Sequence, residues 1–112
     1  MKIFLAQFNP IVGDLIGNAN KILEISSKAF NDSANLVITP ELSLWGYPPK
    51  DLLFNKSLIE KQNIILNKLS NDIANQYNDL SVTIGVAEKI DDGFFPNLFN
   101  SIALLENGNW SI

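Results

Sequence analysis

The residue best placed to do chemistry is Glu41, in the stretch TPELSLWGYPPKDLL at positions 39–53. An apolar, β-branched run, LVIT (36–39), delivers it, and an aromatic, Gly- and Pro-rich segment follows. Catalytic groups of α/β proteins concentrate at the carboxyl ends of strands, where a rigid sheet holds the loops. Pro40 restricts the residue before it to extended geometry, so the acid that follows is aimed. Trp45 and Tyr47 are able to wall off water, which suits a carboxylate that must accept a proton near neutral pH. The chemistry that fits is general-base catalysis from an apolar pocket. The duller account, a solvated or Lys-paired acid, is the default for any carboxylate at a strand end; its neighbours are what shift the balance.

Two absences narrow the rest. The chain has no Cys, hence no disulfide, thiolate metal site or cysteine nucleophile of its own. It has no His, the commonest general base and zinc ligand. No metal site is expected. Gly13 and Gly17 lack the Lys-Ser/Thr of a phosphate-binding loop and read as a tight turn before a helix.

These residues need a scaffold, and 112 residues at 46% hydrophobic and 18% charged supply about one domain. The net charge of −4, with eight scattered Lys and Arg, argues against a nucleic-acid partner. The opening MKIFLAQFNP is too short an apolar run for a signal peptide or membrane span, so the expected location is cytoplasmic with no membrane partner.

MKIFLAQF (1–8) reads as a strand ended by Asn9-Pro10. NANKILEISSKAF (18–30) has helical spacing, with Asn18 as the N-cap candidate. LVIT is expected to be a strand buried on both faces. KSLIEKQNIILNKLSNDIANQY (56–77) is a second helix, with Ser57 and Glu60 in capping-box form. DLSVTIGVAE (79–88) alternates Leu80, Val82, Ile84 and Val86 with small residues, a strand with one crowded face. SIALLENGNWSI (101–112) is a hairpin around Asn107-Gly108. Strands alternating with helices imply parallel pairing with right-handed crossovers, and the hairpin makes the sheet mixed. Ile112 falls two or three residues into the returning strand, which would expose an edge and an uncovered apolar face; the expectation is part of a larger folding unit.

PELSLWGYPP resembles the glutamate signature of the nitrilase superfamily, the carbon–nitrogen hydrolases. KIFLAQFNPIVGDLIGNANKI, ANLVITPE and FNSIALLENG are similar to that family's opening strand, loop and helix, its glutamate-bearing strand, and its Asn-Ser hairpin strand. Within it, NPIVGDLIGN together with GYPPKDLL most resembles the glutaminase domain of glutamine-dependent NAD(+) synthetases.

The resemblance implies an α/β fold: residues 1–112 as the N-terminal half of an α-β-β-α sandwich, a mixed sheet with helices on one face. It implies a Glu-Lys-Cys site in which Glu41 is the proton acceptor that activates a thiol. L-Glutamine is the implied substrate, and the ammonia released passes to a synthetase domain of the same polypeptide that amidates deamido-NAD. No cofactor is implied for the amidase half; ATP and Mg belong to the synthetase domain. A homo-oligomer is implied for the complete enzyme.

The chain departs from that pattern, because it has no Cys and Lys50, Lys56 and Lys89 do not match the family's lysine. These 112 residues alone are therefore expected to be inactive. Tyr47, Trp45 and Asn100 are candidates for the substrate pocket or ammonia route, with plain packing as the alternative for each. Glu88 and Ser101 are candidates for support just behind the site. The competing functions are another amidase or carbamoylase of the same superfamily and a non-catalytic interaction module.

Overall fold

A computed structural model of the chain describes residues 1–49, 55–91 and 96–112. The segment 50–54, which holds Lys50 and the Asp-Leu-Leu continuation of the Pro-Pro motif, lies outside the described residues. In chain order the elements are β1 (Ile3–Leu5), α1 (Leu15–Asn31), β2 (Leu36–Ile38), α2 (Lys56–Gln76), β3 (Ser81–Asp91), β4 (Pro96–Glu106) and β5 (Asn109–Ser111). They build one five-stranded sheet in the order β1-β2-β3-β4-β5. The first two pairings are parallel and the last two antiparallel, giving the expected mixed sheet.

Alternation along the strands sorts the side chains into two unlike faces. Val37, Val82, Ile84, Val86, Ala103 and Leu105 are buried beneath the helices, which also pack on each other. From α1 come Leu15, Ala19, Ile22 and Ala29; from α2 come Leu66, Leu69 and Ile73. Fully burying a Leu- or Ile-sized side chain contributes about 1.5–3 kcal/mol, so this layer is the main source of stability.

The other face carries Ile3, Leu5, Ile38 and Ile102, which are 50%, 67%, 36% and 64% exposed. LVIT was expected to be buried on both sides; Val37 is buried, but Ile38 opens onto this second face.

Both helices are capped by residues other than those proposed from sequence, although α2 begins at Lys56 as expected. Asp14 caps α1, its Oδ1 accepting from Gly17 N at 3.0 Å. Asn18 is instead buried inside the helix: its carboxamide accepts from Ile11 N and donates to Ile11 O and Leu44 O at 2.8–2.9 Å. Asn55 caps α2 in place of Ser57, accepting from Ser57 N and Leu58 N. The hairpin forms where expected. Asn107 and Gly108 have φ of 54° and 81°, the two left-handed residues that a tight two-residue turn requires.

Candidate functional site

β2 stops pairing with β3 at Ile38–Thr83, and the chain then bends across β3. Thr39 Oγ1 donates to Thr83 O at 2.8 Å and shares a 2.7 Å bond with Ser43 Oγ. Ser43 Oγ accepts from Gly85 N at 3.0 Å, and Leu44 N donates to Gly85 O at 3.1 Å. The loop therefore completes the hydrogen bonding that β2 abandons.

Closeness is possible because position 85 has no side chain. A Cβ there would stand 2.2 Å from Leu42 N and 2.6 Å from Pro40 O. The small-residue face anticipated for this strand is what lets the Glu41 loop lie on it.

The loop itself is a tight turn. Ser43 N donates to Pro40 O, and both Trp45 N and Gly46 N donate to Leu42 O. Leu42 adopts a left-handed φ of 49°, an uncommon conformation for a non-glycine residue and one found preferentially at functional loops. Gly46, at φ 81°, passes so close to Val12 that a Cβ would meet its Cα at 2.7 Å.

Glu41 projects onto the open face, into a cavity of about 320 Å³ lined by Ile38, Thr39, Pro40, Thr83, Gly85, Asn100, Ser101 and Ile102. Asn100 reaches it from β4, its Nδ2 donating to Glu41 Oε1. Among the described residues no hydrogen bond reaches Oε2. Glu41 is exposed on this chain, so the water-excluding pocket expected around it is not formed by these residues alone.

The remaining candidates separate. Trp45 is fully buried in the core, its indole Nε1 donating to Gln62 Oε1 at 2.6 Å, and it is absent from the cavity lining. Tyr47 is 68% exposed and also lies off that lining. Strand alternation puts Glu88 and the Ser101 side chain on the helix-bearing face, where Ser101 Oγ donates to Glu88 Oε2 at 2.9 Å. They brace each other on the far side of the sheet from the carboxylate. Gln62, unremarked in the sequence, is 3% exposed and holds both Trp45 and Ala87; its position on the apolar stripe of α2 was the one available signal. Among the described residues no group of three His, Cys, Asp or Glu could hold a metal ion, and no helix is long and apolar enough to cross a membrane.

Comparison with known proteins places this geometry. The chain is 38% identical over 106 residues to the glutamine-dependent NAD(+) synthetase of Synechocystis sp., covering 95% of this chain and 19% of that protein. It is 32% identical to the namesake of Acinetobacter baylyi, covering 96% and 18%. It thus spans about a fifth of the length of these relatives. The solved glutamine-dependent NAD+ synthetase of Acinetobacter baumannii superposes with a TM-score of 0.82 at 31% identity, over 96% of this chain and 19% of the other. An amidase from Nesterenkonia sp. shares the fold, with a TM-score of 0.76 at 20% identity over all of this chain and 41% of the amidase. The match to the carbon-nitrogen hydrolase family model runs from residue 2 to residue 110. On that coverage, and with the glutamate loop seated at the end of its second strand, the chain belongs to the carbon–nitrogen hydrolase family.

Proposed function

We propose that this chain carries the general base of a glutaminase that supplies ammonia for glutamine-dependent NAD(+) synthesis. The observation that carries the reading is Glu41: a carboxylate clamped at a strand exit, with one oxygen held by Asn100 and the other open to a cavity. Similarity to NAD(+) synthetases over nearly the whole chain supports the choice of glutamine over other amides.

In this mechanism Glu41 Oε2 accepts the proton of a cysteine thiol supplied outside these 112 residues. The thiolate attacks the side-chain amide carbon of L-glutamine, and a lysine, also supplied elsewhere, stabilises the oxyanion. Glu41 returns the proton to the amide nitrogen, which leaves as ammonia. It then deprotonates the water that hydrolyses the thioester, releasing glutamate and restoring the thiol. Ammonia passes to a synthetase domain of the same polypeptide, which uses ATP and Mg to amidate deamido-NAD; no residue of this chain is assigned to those cofactors. The chain alone, without thiol, releases no ammonia from glutamine.

The test is Glu41→Gln in a full-length polypeptide containing this chain. Glutamine-dependent NAD formation is lost while ammonia-dependent formation survives. Loss of both would mark Glu41 as structural, and unimpaired glutamine use would end its assignment as base. A wild type that turns over simple amides but no glutamine would move the chain to the amidase reading.

A further inference from the structure

We propose that Gln62 is a positioning residue for Glu41: its carboxamide substitutes for a missing peptide group beside β3 and, through the Trp45 indole, locks the far end of the glutamate loop. The inference rests on the reading of Glu41 as the base.

Past Thr83 no strand among the described residues pairs with the β2 side of β3. The loop serves Gly85, through Ser43 Oγ and Leu44 N. Two residues on, the next outward-facing pair belongs to Ala87, and there the partner is a side chain from α2. Gln62 Nε2 donates to Ala87 O at 2.8 Å, and Gln62 Oε1 accepts from Ala87 N at 3.0 Å. A carboxamide offers the same C=O and N–H as a peptide, so one side chain extends the ladder by one rung. The second lone pair of Oε1 accepts from Trp45 Nε1 at 2.6 Å.

This places Gln62 mechanically upstream of the acid. Thr39 pins the near end of the loop and Ser43 its middle. The far end is held by Trp45, whose own N–H closes the turn onto Leu42 O, next to Glu41. If the indole moves, that turn moves, and the carboxylate with it. An error of about 1 Å in placing a catalytic group costs about a hundredfold in rate.

The experiment compares wild type with Gln62→Leu and Gln62→Glu. In a full-length polypeptide containing this chain, Gln62→Leu lowers glutamine-dependent kcat about 10- to 100-fold. KM for glutamine stays within about threefold, and ammonia-dependent synthesis is unaffected, which a general loss of folding would not allow. In the same full-length polypeptide labelled with 15N-tryptophan, the Trp45 indole N–H, identified by its loss in Trp45→Phe, exchanges slowly in wild type and rapidly in Gln62→Leu. Gln62→Glu keeps both acceptor bonds and loses the donor to Ala87 O; should the Leu variant fail to fold, the proposal then requires a kcat at least about threefold down in Gln62→Glu. An active wild type whose folded variants keep kcat within twofold overturns the proposal. A wild type that hydrolyses no glutamine defeats the reading of Glu41 instead, and slow indole exchange in Gln62→Leu defeats the clamp by itself.

Discussion

Replacing Gly85 with alanine tests the contact on which the site is built. The added methyl would lie 2.2 Å from Leu42 N, 2.6 Å from Pro40 O and 2.8 Å from Ser43 N, all backbone atoms that no rotamer change can clear. The loop must lift. Overpacking of this kind costs about 1–3 kcal/mol. Lifting also breaks the bond that Gly85 N donates to Ser43 Oγ and the one that Leu44 N donates to Gly85 O, and each buried group left unpaired costs about 1–3 kcal/mol. Together these come to about 3–9 kcal/mol, against a total stability of about 6–17 kcal/mol for a chain of this length. At about 4 °C per kcal/mol, the melting temperature of Gly85→Ala falls by about 12–36 °C. Unfolding followed by circular dichroism, with Ile102→Ala as control, is the assay. Ile102 lies on the same face but is 64% exposed, so its truncation shifts stability by less than about 0.5 kcal/mol. A Gly85→Ala loss below about 1 kcal/mol would refute the claim that the loop rests on β3.

Asn18→Leu leaves Ile11 and Leu44 without the carboxamide that joins their loops, and destabilises by about 2–4 kcal/mol in urea unfolding. Asp14→Ala removes the cap of α1 and costs about 1 kcal/mol in the same assay. Gly108→Val forces a β-branched residue to φ 81°, lowering stability by about 1–2 kcal/mol and broadening the amide signals of the hairpin in NMR.

What could be read in advance divides by range. The Asn107-Gly108 turn was legible because its cause, two adjacent left-handed residues, is local. Both helices were legible from their apolar stripes, and so was the start of α2 at Lys56, but not the residues that cap them. Asp14 and Asn55 act as caps because their side chains accept from N–H groups of the first helical turn, and residue type alone did not favour them over Asn18 or Ser57. The position of Glu41 at the strand exit was recoverable, whereas its surroundings were not. Trp45 looked like a pocket wall because it is aromatic and close in sequence; the Leu42 turn swings it through to the opposite side of the sheet. Gln62 was invisible for a related reason: a polar residue on an apolar stripe declares its role only when its partner, a backbone 25 residues onward, is known.

The open side of the sheet has a consequence for timing. Glu41 shares that side with Ile38 and Ile102, all three bordering one cavity. Any surface that settles on the isoleucines must also squeeze water from beside the acid. On the proposed reading of Glu41, dewetting the greasy patch and arming the base are thus one event, and while that patch stays wet the acid stays bathed and idle.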